Sequence, residues 1–266
     1  MYNREILMCR PDYFEITYQI NPWMDQHHQP DALKVEQEYD ALIEAHESVG
    51  RKVHFLPPAT GLPDMTYTAN QALIRGKKAV LGNLPPERAP EITHTRRWLE
   101  AHGFEVFDCP YLFSGQGDAV PTGTGAVIKG REWRSDPRSD AFIADTLGYE
   151  VIPIHTVSDR WYDDDLAIGV IKPGLLAVCF DALDPDSQAL LKARQDLEII
   201  PVTLPEAENY ALNLVSDGAT VILAEGAPKL TAELNRRGLQ VIIRNISQLK
   251  LGGGGIRCTA LALDAA

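Results

Sequence analysis

The sequence predicts an α/β protein in which five ββαβ-type units close into a ring. Three observations predict it. First, a short apolar run, a glycine-containing turn and a second apolar run recur, the pattern of a β-hairpin. It appears as ALIRGKKAVLG from Ala72, AVPTGTGAVIKG from Ala119, AIGVIKPGLLAV from Ala167 and ALNLVSDGATVIL from Ala211, and CTALALD from Cys258 begins a fifth. The starting points lie 47, 48, 44 and 47 residues apart. Second, helix-like and strand-like segments alternate between the hairpins. Third, the fifth hairpin lacks its second strand while EILMCR, early in the chain, has no hairpin of its own, so pairing the two completes a ring.

The elements follow in order. EILMCR reads as a strand, DALKVEQEYDALIEAHESVG as a helix and KVHFLP as a strand. After the first hairpin, PERAPEITHTRRWLEAHG is helical and stops at Gly103, which suits a C-terminal cap, and FEVFDC is a strand. DPRSDAFIADTLG and EVIPIHTV repeat helix and strand, as do DPDSQALLKARQ with EIIPVTL and PKLTAELNRRG with LQVIIRN. An open α/β sheet with coincidental spacing is the competing arrangement. No Pro-, Gly- or Ser-rich linker divides the 266 residues, so a single domain spanning 1–266 is expected.

Composition narrows the function classes. Asp and Glu number 37 against 25 Lys and Arg, a net charge of −12, which argues against nucleic acid and against an anionic membrane surface as partners. No apolar run reaches the roughly 18 residues of a membrane span, and the start lacks the apolar stretch of a signal peptide, so a cytoplasmic protein is expected. Cys9, Cys109, Cys179 and Cys258 show no CxxC spacing, and none of the seven His forms a spaced metal set. Neither metal nor cofactor is therefore expected. GTGAVIKG departs from GxGxxG, there is no P-loop, and FSGQG has Leu112 where a nucleophile elbow needs its first glycine.

A ring with pseudo-symmetry brings equivalent positions together, so the residues at the start of each hairpin are the candidates for a site. They are Asn70, Asp118, Asp165, Asn209 and Cys258. Gly252 to Gly255 precede Cys258 and would let backbone approach a ligand. Arg257 would point away from Cys258 if a strand runs there. Cys258 taken alone reads equally as a small buried core residue. In WYDDDL, a strand would place Asp163 and Asp165 on one face and Asp164 on the other, whereas the alternative is a solvated acidic turn. His27 and His28 lie in a polar loop, and His155 suits a core or rim position better than that of a base.

Several segments, taken together, resemble the pentein or guanidine-modifying superfamily, particularly dimethylarginine dimethylaminohydrolase and the arginine dihydrolase type of amidinotransferase-like domain. They are LMCRPDYFEITYQINPWM, PDMTYTANQAL, ERAPE, FSGQGDA, RSD at Arg134 to Asp136, SDRWYDDDLA and GGGGIRCTAL, and they span essentially the whole chain. The resemblance implies a five-bladed, pseudo-symmetric α/β propeller of ββαβ units. It implies a Cys thiolate, here Cys258, that attacks a guanidinium carbon, loses an amine and is released by water. It further implies Asn21, Asn70 and Asp118 as substrate-binding positions, Arg88 and Arg134 as holders of a substrate carboxylate, and Asp165 as a carboxylate gripping the guanidinium. A homodimer is also compatible with it.

Two positions depart from the family pattern. FEGxGD is FSGQGD here, so Ser114 replaces the guanidinium-binding Glu, and YHLDT is YDDDL, so Asp163 replaces the catalytic His. A Glu often found before the glycine run is Gln248. General acid–base help is worth about 10²–10⁴-fold, so the His needs a substitute. Asp163 can serve if burial and the like charge of Asp165 raise its pKa. The expectation is a cysteine-dependent hydrolase of a non-peptide C–N bond in a guanidino-like, amidine or ureido group of a small arginine-derived amino acid, with a substrate different from the usual one. A non-catalytic pentein that binds a small amino acid or a protein, and an amidinotransferase, are the alternatives.

Overall fold

The computed structural model describes residues 3–264. Its fifteen strands form five three-stranded sheets of one design. β3 (Ala72–Arg75), β4 (Lys78–Leu81) and β5 (Glu105–Asp108) form one, with α2 (Glu91–Ala101) between the last two. β6 (Ala119–Pro121), β7 (Ala126–Gly130), α3 (Ser139–Leu147) and β8 (Glu150–Ile154) repeat it. So do β9 (Ile168–Lys172), β10 (Leu175–Val178), α4 (Pro185–Ala193) and β11 (Glu198–Pro201). After α5 (Leu204–Glu208) come β12 (Val215–Ser216), β13 (Thr220–Ala224), α6 (Pro228–Arg236) and β14 (Gln240–Arg244). The remaining sheet takes strands from both ends of the chain: β15 (Leu261–Ala262), then β1 (Glu5–Cys9) and β2 (Lys52–Leu56), with α1 (Ala32–Ser48) joining β1 to β2.

In every sheet the middle strand pairs antiparallel with the first strand and parallel with the third. The helix is the crossover that a parallel pair requires. EILMCR does complete the fifth unit: Ile6 faces Ala262 and Leu7 faces Leu261. Middle strands β7, β10 and β13 are buried along their whole length, which is why they read as continuous apolar runs rather than alternating ones. The third strands β5, β11 and β14 are partly exposed. Each fully buried Leu or Ile of the middle strands contributes roughly 1.5–3 kcal/mol.

Local signals set the helix ends. Asp31 accepts hydrogen bonds from the backbone N–H of Leu33 and Lys34 at 3.1 and 3.2 Å, and Asp184 caps α4 through Ser187 N–H at 2.8 Å. Such caps contribute about 1 kcal/mol each. Gly103 follows α2 with φ +77°, as expected of a cap. Two strands begin later than the apolar runs suggest. Residues 209–212 and 256–259 are turns, not strand, closed by local bonds: Asn213 N–H reaches Tyr210 O at 3.2 Å and Ala260 N–H reaches Arg257 O at 3.1 Å. Asp164–Leu166 is a 3-10 turn rather than a strand start.

Candidate active site

Residues that precede the first strands of the units converge. Asn70 lies before β3, Ser114 before β6, Asp163 and Asp165 before β9, Asn213 before β12 and Cys258 before β15. Cys258 Sγ donates to Asp165 Oδ2 at 3.4 Å and accepts from Asn213 Nδ2 at 3.1 Å. Asn70 Nδ2 donates to Ser114 Oγ at 2.9 Å and to Asp163 Oδ2 at 2.7 Å. Asn70 Oδ1 accepts from Arg88 Nη1 at 2.8 Å. All of these side chains are buried, Cys258 to 3% exposure and Asp163, Asp164 and Asp165 to 1% each. The acidic run is therefore not a solvated turn. Its carboxyls stand in the interior, with Asp164 turned toward Asp118, whose Oδ1 accepts the Asp164 N–H at 3.3 Å.

Burial governs the ionisation of these groups. It pushes Asp163 up, opposed by the Arg134 charge and by hydrogen bonds from Asn70 and Ser114. Asp165 is raised by burial and then by the charge of Asp163, against Arg257, the thiol and Asn213. Burial and the Asp163 charge push Asp118 up to about 7, and burial together with Asp118 raises Asp164 well above the carboxylate range. The Cys258 thiol is also raised, by burial first and then by Asp165 and Asp163. At rest Cys258 is a neutral thiol beside a pair of carboxyls that resist double ionisation. Cys9, Cys109 and Cys179 are buried and raised as well, by burial first, as expected of inert core thiols.

The glycine run packs closely against protein side chains. A Cβ on Gly254 would lie 2.3 Å from the Tyr67 ring and one on Gly253 2.5 Å from Asn21 Nδ2, so protein side chains fill the space. Gly253 also has φ +91°, a left-handed conformation that favours glycine. Its carbonyl accepts from both Tyr162 and Tyr210 hydroxyls at 2.6 and 2.9 Å, and Gly252 O accepts from Asn21 Nδ2 at 3.2 Å. These bonds fix the loop that carries Cys258. Arg257 does point away from the sulfur, through a turn rather than strand alternation: it donates to Gln116 Oε1 and Ala260 O, both at 2.7 Å.

The two arginines differ. Arg134 stacks over the Tyr162 ring at 4.7 Å and donates to Ile20 O at 2.9 Å, leaving its buried Nη1 without a protein partner. It lines a surface cavity of about 460 Å³ with Ile20, Asn21, Trp133, Asp159 and Tyr162. Arg88 is already committed. Its Nε and Nη2 donate to Glu91 at 3.0 Å each, and Asp64 Oδ2 lies 3.7 Å away. A larger cavity of about 730 Å³, lined by Glu5, His54, Trp98 and His102 among others, holds none of the expected site residues.

Two expected placements change. Asn209 is exposed and donates to Pro205 O, and Asn213 takes its position beside the thiol. Reading the strand from Ala211 set the repeat too early, whereas counting back from Val215 reaches Asn213 just as counting back from Ala72 reaches Asn70. Gln248 lies at the start of α1, where its Oε1 accepts Asp31 N–H at 2.8 Å, so it contributes nothing to the charge around Cys258. Asp118 sits beside the acidic run, where its Oδ1 accepts the Asp164 N–H at 3.3 Å. His155 is on the surface, paired with Glu132 at 2.8 Å. Asp64 and Glu91 escaped sequence reasoning, since nothing in PDMT or APE marks a buried partner for Arg88. Among the described residues no helix is long and apolar enough to cross a membrane, and no group of three or more His, Cys, Asp or Glu is arranged to hold a metal ion.

Comparison with known proteins agrees with this geometry. The family profile described as N,N dimethylarginine dimethylhydrolase, eukaryotic, matches residues 10–263. The chain is 32% identical over 261 residues to N(G),N(G)-dimethylarginine dimethylaminohydrolase of Mycobacterium tuberculosis, covering 98% of this chain and 86% of that protein. It is 29% identical over 261 residues to the bifunctional arginine dihydrolase/ornithine cyclodeaminase AgrE of Nostoc sp., covering 96% of this chain and 37% of that protein. The substrate-bound N-terminal domain of ArgZ, an arginine dihydrolase from the ornithine-ammonia cycle in cyanobacteria, superposes with a TM-score of 0.93 at 28% identity over 98% of both chains. A dimethylarginine dimethylaminohydrolase adduct shares the fold, with a TM-score of 0.78 at 19% identity over 98% of this chain and 99% of that one. With a profile match along nearly the whole chain, the protein belongs to the dimethylarginine dimethylaminohydrolase family of the pentein superfamily.

Proposed function

We propose that the protein is a cysteine-dependent hydrolase that cleaves a non-peptide C–N bond in a small arginine-derived amino acid through a covalent Cys258 intermediate. One observation carries this reading. The Cys258 thiol lies between Asn213 Nδ2 and Asp165 Oδ2, in a buried group where Asp163 Oδ1 and Asp165 Oδ1 have no protein partner. Arg134 Nη1 and Asp64 Oδ1 are buried and unpartnered too. Buried polar groups are almost always hydrogen-bonded, so such a set is completed by something that binds. An amino acid with a cationic or polar carbon–nitrogen side chain supplies the missing partners. Its carboxylate suits Arg134, its ammonium suits Asp64, and its reacting group suits Asp163 and Asp165. The names of the relatives, which act on dimethylarginine and arginine, support the same class.

In this scheme Asp163 and Asp165 share one proton when substrate is bound. Asp165 is the carboxylate that holds the reacting group, and Asp163 keeps the proton. The S–H bond of Cys258 breaks toward Asp165 as sulfur bonds to the substrate carbon. Asp163 then delivers its proton to the leaving nitrogen as the C–N bond breaks. Water attacks the carbon and returns a proton to Asp163, and the C–S bond breaks as Asp165 returns its proton to sulfur. Proton delivery of this kind contributes about 10²–10⁴-fold. No step in the scheme calls for a cofactor. Ser114 removes a carboxylate and Asp163 returns a carboxyl that keeps its proton in this scheme, so the pocket holds one ionised carboxylate fewer than the family pattern, and a group less demanding of negative charge than a plain guanidinium fits: a ureido, amidine or N-hydroxyguanidine group. In the same reading the five sheets are blades of one closed five-bladed propeller, residues 1–266 are one domain, and the enzyme works in the cytoplasm. The shared strand order and the pairing of β15 with β1 support the ring.

Intact-mass analysis tests the proposal. The protein is incubated with arginine, its methylated and hydroxylated forms and citrulline-like compounds, and an adduct on Cys258 with turnover is expected. Binding without adduct or turnover would favour a non-catalytic amino-acid binder. Transfer of the group to an added amine would make the protein an amidinotransferase.

A further inference from the structure

Asn213 is more than a neighbour of the nucleophile. Its side chain is fully buried, and both ends of its amide are held. Oδ1 accepts the backbone N–H of Arg257 at 2.9 Å and of Cys258 at 3.3 Å. An amide whose oxygen takes two N–H groups cannot flip without losing both, so its NH2 must face the sulfur. There Nδ2 stands 3.1 Å from Sγ. The chain reaches this position through Tyr210, a bulky residue held at φ +64°, whose hydroxyl bonds to Gly253 O ahead of Cys258. A left-handed bulky residue costs free energy and persists where the surroundings require it. The strained turn and the glycine loop thus fix donor and sulfur against each other.

The sulfur needs such a donor. The groups that face it are Asp163 and Asp165 from the segment before β9, and the phenols of Tyr67, Tyr162 and Tyr210. The two aspartates act against a thiolate, and the three phenols stay neutral because burial holds them protonated. A hydrogen bond to a charged acceptor is about twice as strong as one between neutral groups, so a fixed N–H donor favours S⁻ over S–H. We propose that Asn213 is a catalytic residue that stabilises the Cys258 thiolate by donating its Nδ2–H to Sγ. The proton that leaves sulfur goes to Asp165 Oδ2, to which the S–H already points, and the N–H···S bond remains as the S–H bond breaks.

This rests on the reading of Cys258 as nucleophile, but its test needs no substrate. Cys258 in the full chain is alkylated with iodoacetamide from about pH 6 to about pH 11, with peptide mapping by mass and Cys9, Cys109 and Cys179 as internal references. Asn213→Ala should move the alkylation midpoint upward by about one to two units, a ten- to hundredfold loss of thiolate at fixed pH. Asn213→Asp keeps an acceptor for the two backbone N–H groups and sets a carboxylate against sulfur, so its midpoint should rise at least as far. Midpoints equal to that of the unaltered protein would overturn the proposal, as would a Cys258 that resists alkylation over the whole range. If neither variant folds, the Asn213 side-chain NH2 resonances of the unaltered protein decide the matter: they should titrate with the alkylation midpoint, and resonances blind to it would refute the role. Failure of the hydrolase reading looks different, since no substrate adduct would form while the midpoint still shifted.

Discussion

Two groups of buried carboxyls flank Asn70, and they differ in how their charge is met. On one side Asp64 and Glu91 close around Arg88, which gives Glu91 two hydrogen bonds at 3.0 Å and a third, at 2.8 Å, to Asn70 Oδ1. On the other side Asp163, Asp164, Asp165 and Asp118 crowd together, and each keeps an oxygen with no protein partner. Asn70 joins the two, with Oδ1 toward the matched cluster and Nδ2 toward Asp163. The matched cluster holds its guanidinium between two carboxyls within the protein, although Asp64 Oδ1 keeps no protein partner. Burial raises the carboxyls of both groups, but Asp64 and Glu91 meet the opposite charge of Arg88 next, whereas Asp118, Asp164 and Asp165 meet the like charge of another aspartate. Burial of acidic residues therefore distinguishes nothing by itself; the supply of partners does.

The comparison can be broken or sharpened in order of effect. Cys258→Ser should abolish the covalent adduct and reduce turnover by about 10⁴–10⁶-fold while leaving the denaturation midpoint in place, since it alters only the reacting atom. Residual turnover within tenfold of the parent would move the chemistry elsewhere. Asp163→Asn should lower kcat by about 10²–10⁴-fold with stability unchanged or improved, because it removes the proton donor and puts a neutral amide in place of a crowded ionisable carboxyl. A large loss of stability instead would place Asp163 among the structural groups. Arg88→Met should destabilise the fold by about 3–5 kcal/mol in urea denaturation, because Asp64 and Glu91 lose the guanidinium buried between them. A loss below about 1 kcal/mol would contradict the division drawn here.

The smallest effect concerns pH. Asp118 titrates near 7 in the fold against about 3.9 in an unfolded chain. Between these values the folded state binds more protons, so the contribution is complete below about pH 4 and is lost as pH rises toward about 7. Asp118→Asn should flatten the fall of Tm over that window. A variant whose Tm falls in parallel with the parent would assign the slope to another carboxyl.

Much of this was legible in the sequence. Hairpin spacing disclosed five equal units because strands that pair within a unit leave a local apolar signature. It also disclosed that EILMCR completes the last unit. Asn70, Ser114, Asp163, Asp165 and Cys258 meet as the repeat and the family resemblance implied. Asn213 was missed by a few residues because apolar Ala211 and Leu212 belong to a turn, and apolarity does not mark where pairing begins. The depth of the DDD run was not legible either, since three adjacent acids ordinarily signal solvent and only the tertiary environment buries them. Gln248 shows the converse error: proximity in sequence to the glycine run did not bring it to the thiol.

The pairing of β15 with β1 has a consequence for how the molecule is made. A chain emerging from the ribosome can complete four sheets before residue 261 appears, yet its candidate site is still unassembled. The thiol takes its place only when Leu261 and Ala262 dock on Leu7 and Ile6, a closure between opposite ends of the chain and the slowest kind of contact to form. Until then β1 is an open edge, prone to pairing with the wrong neighbour. In the proposed reading, reactivity is thus withheld until this closure forms.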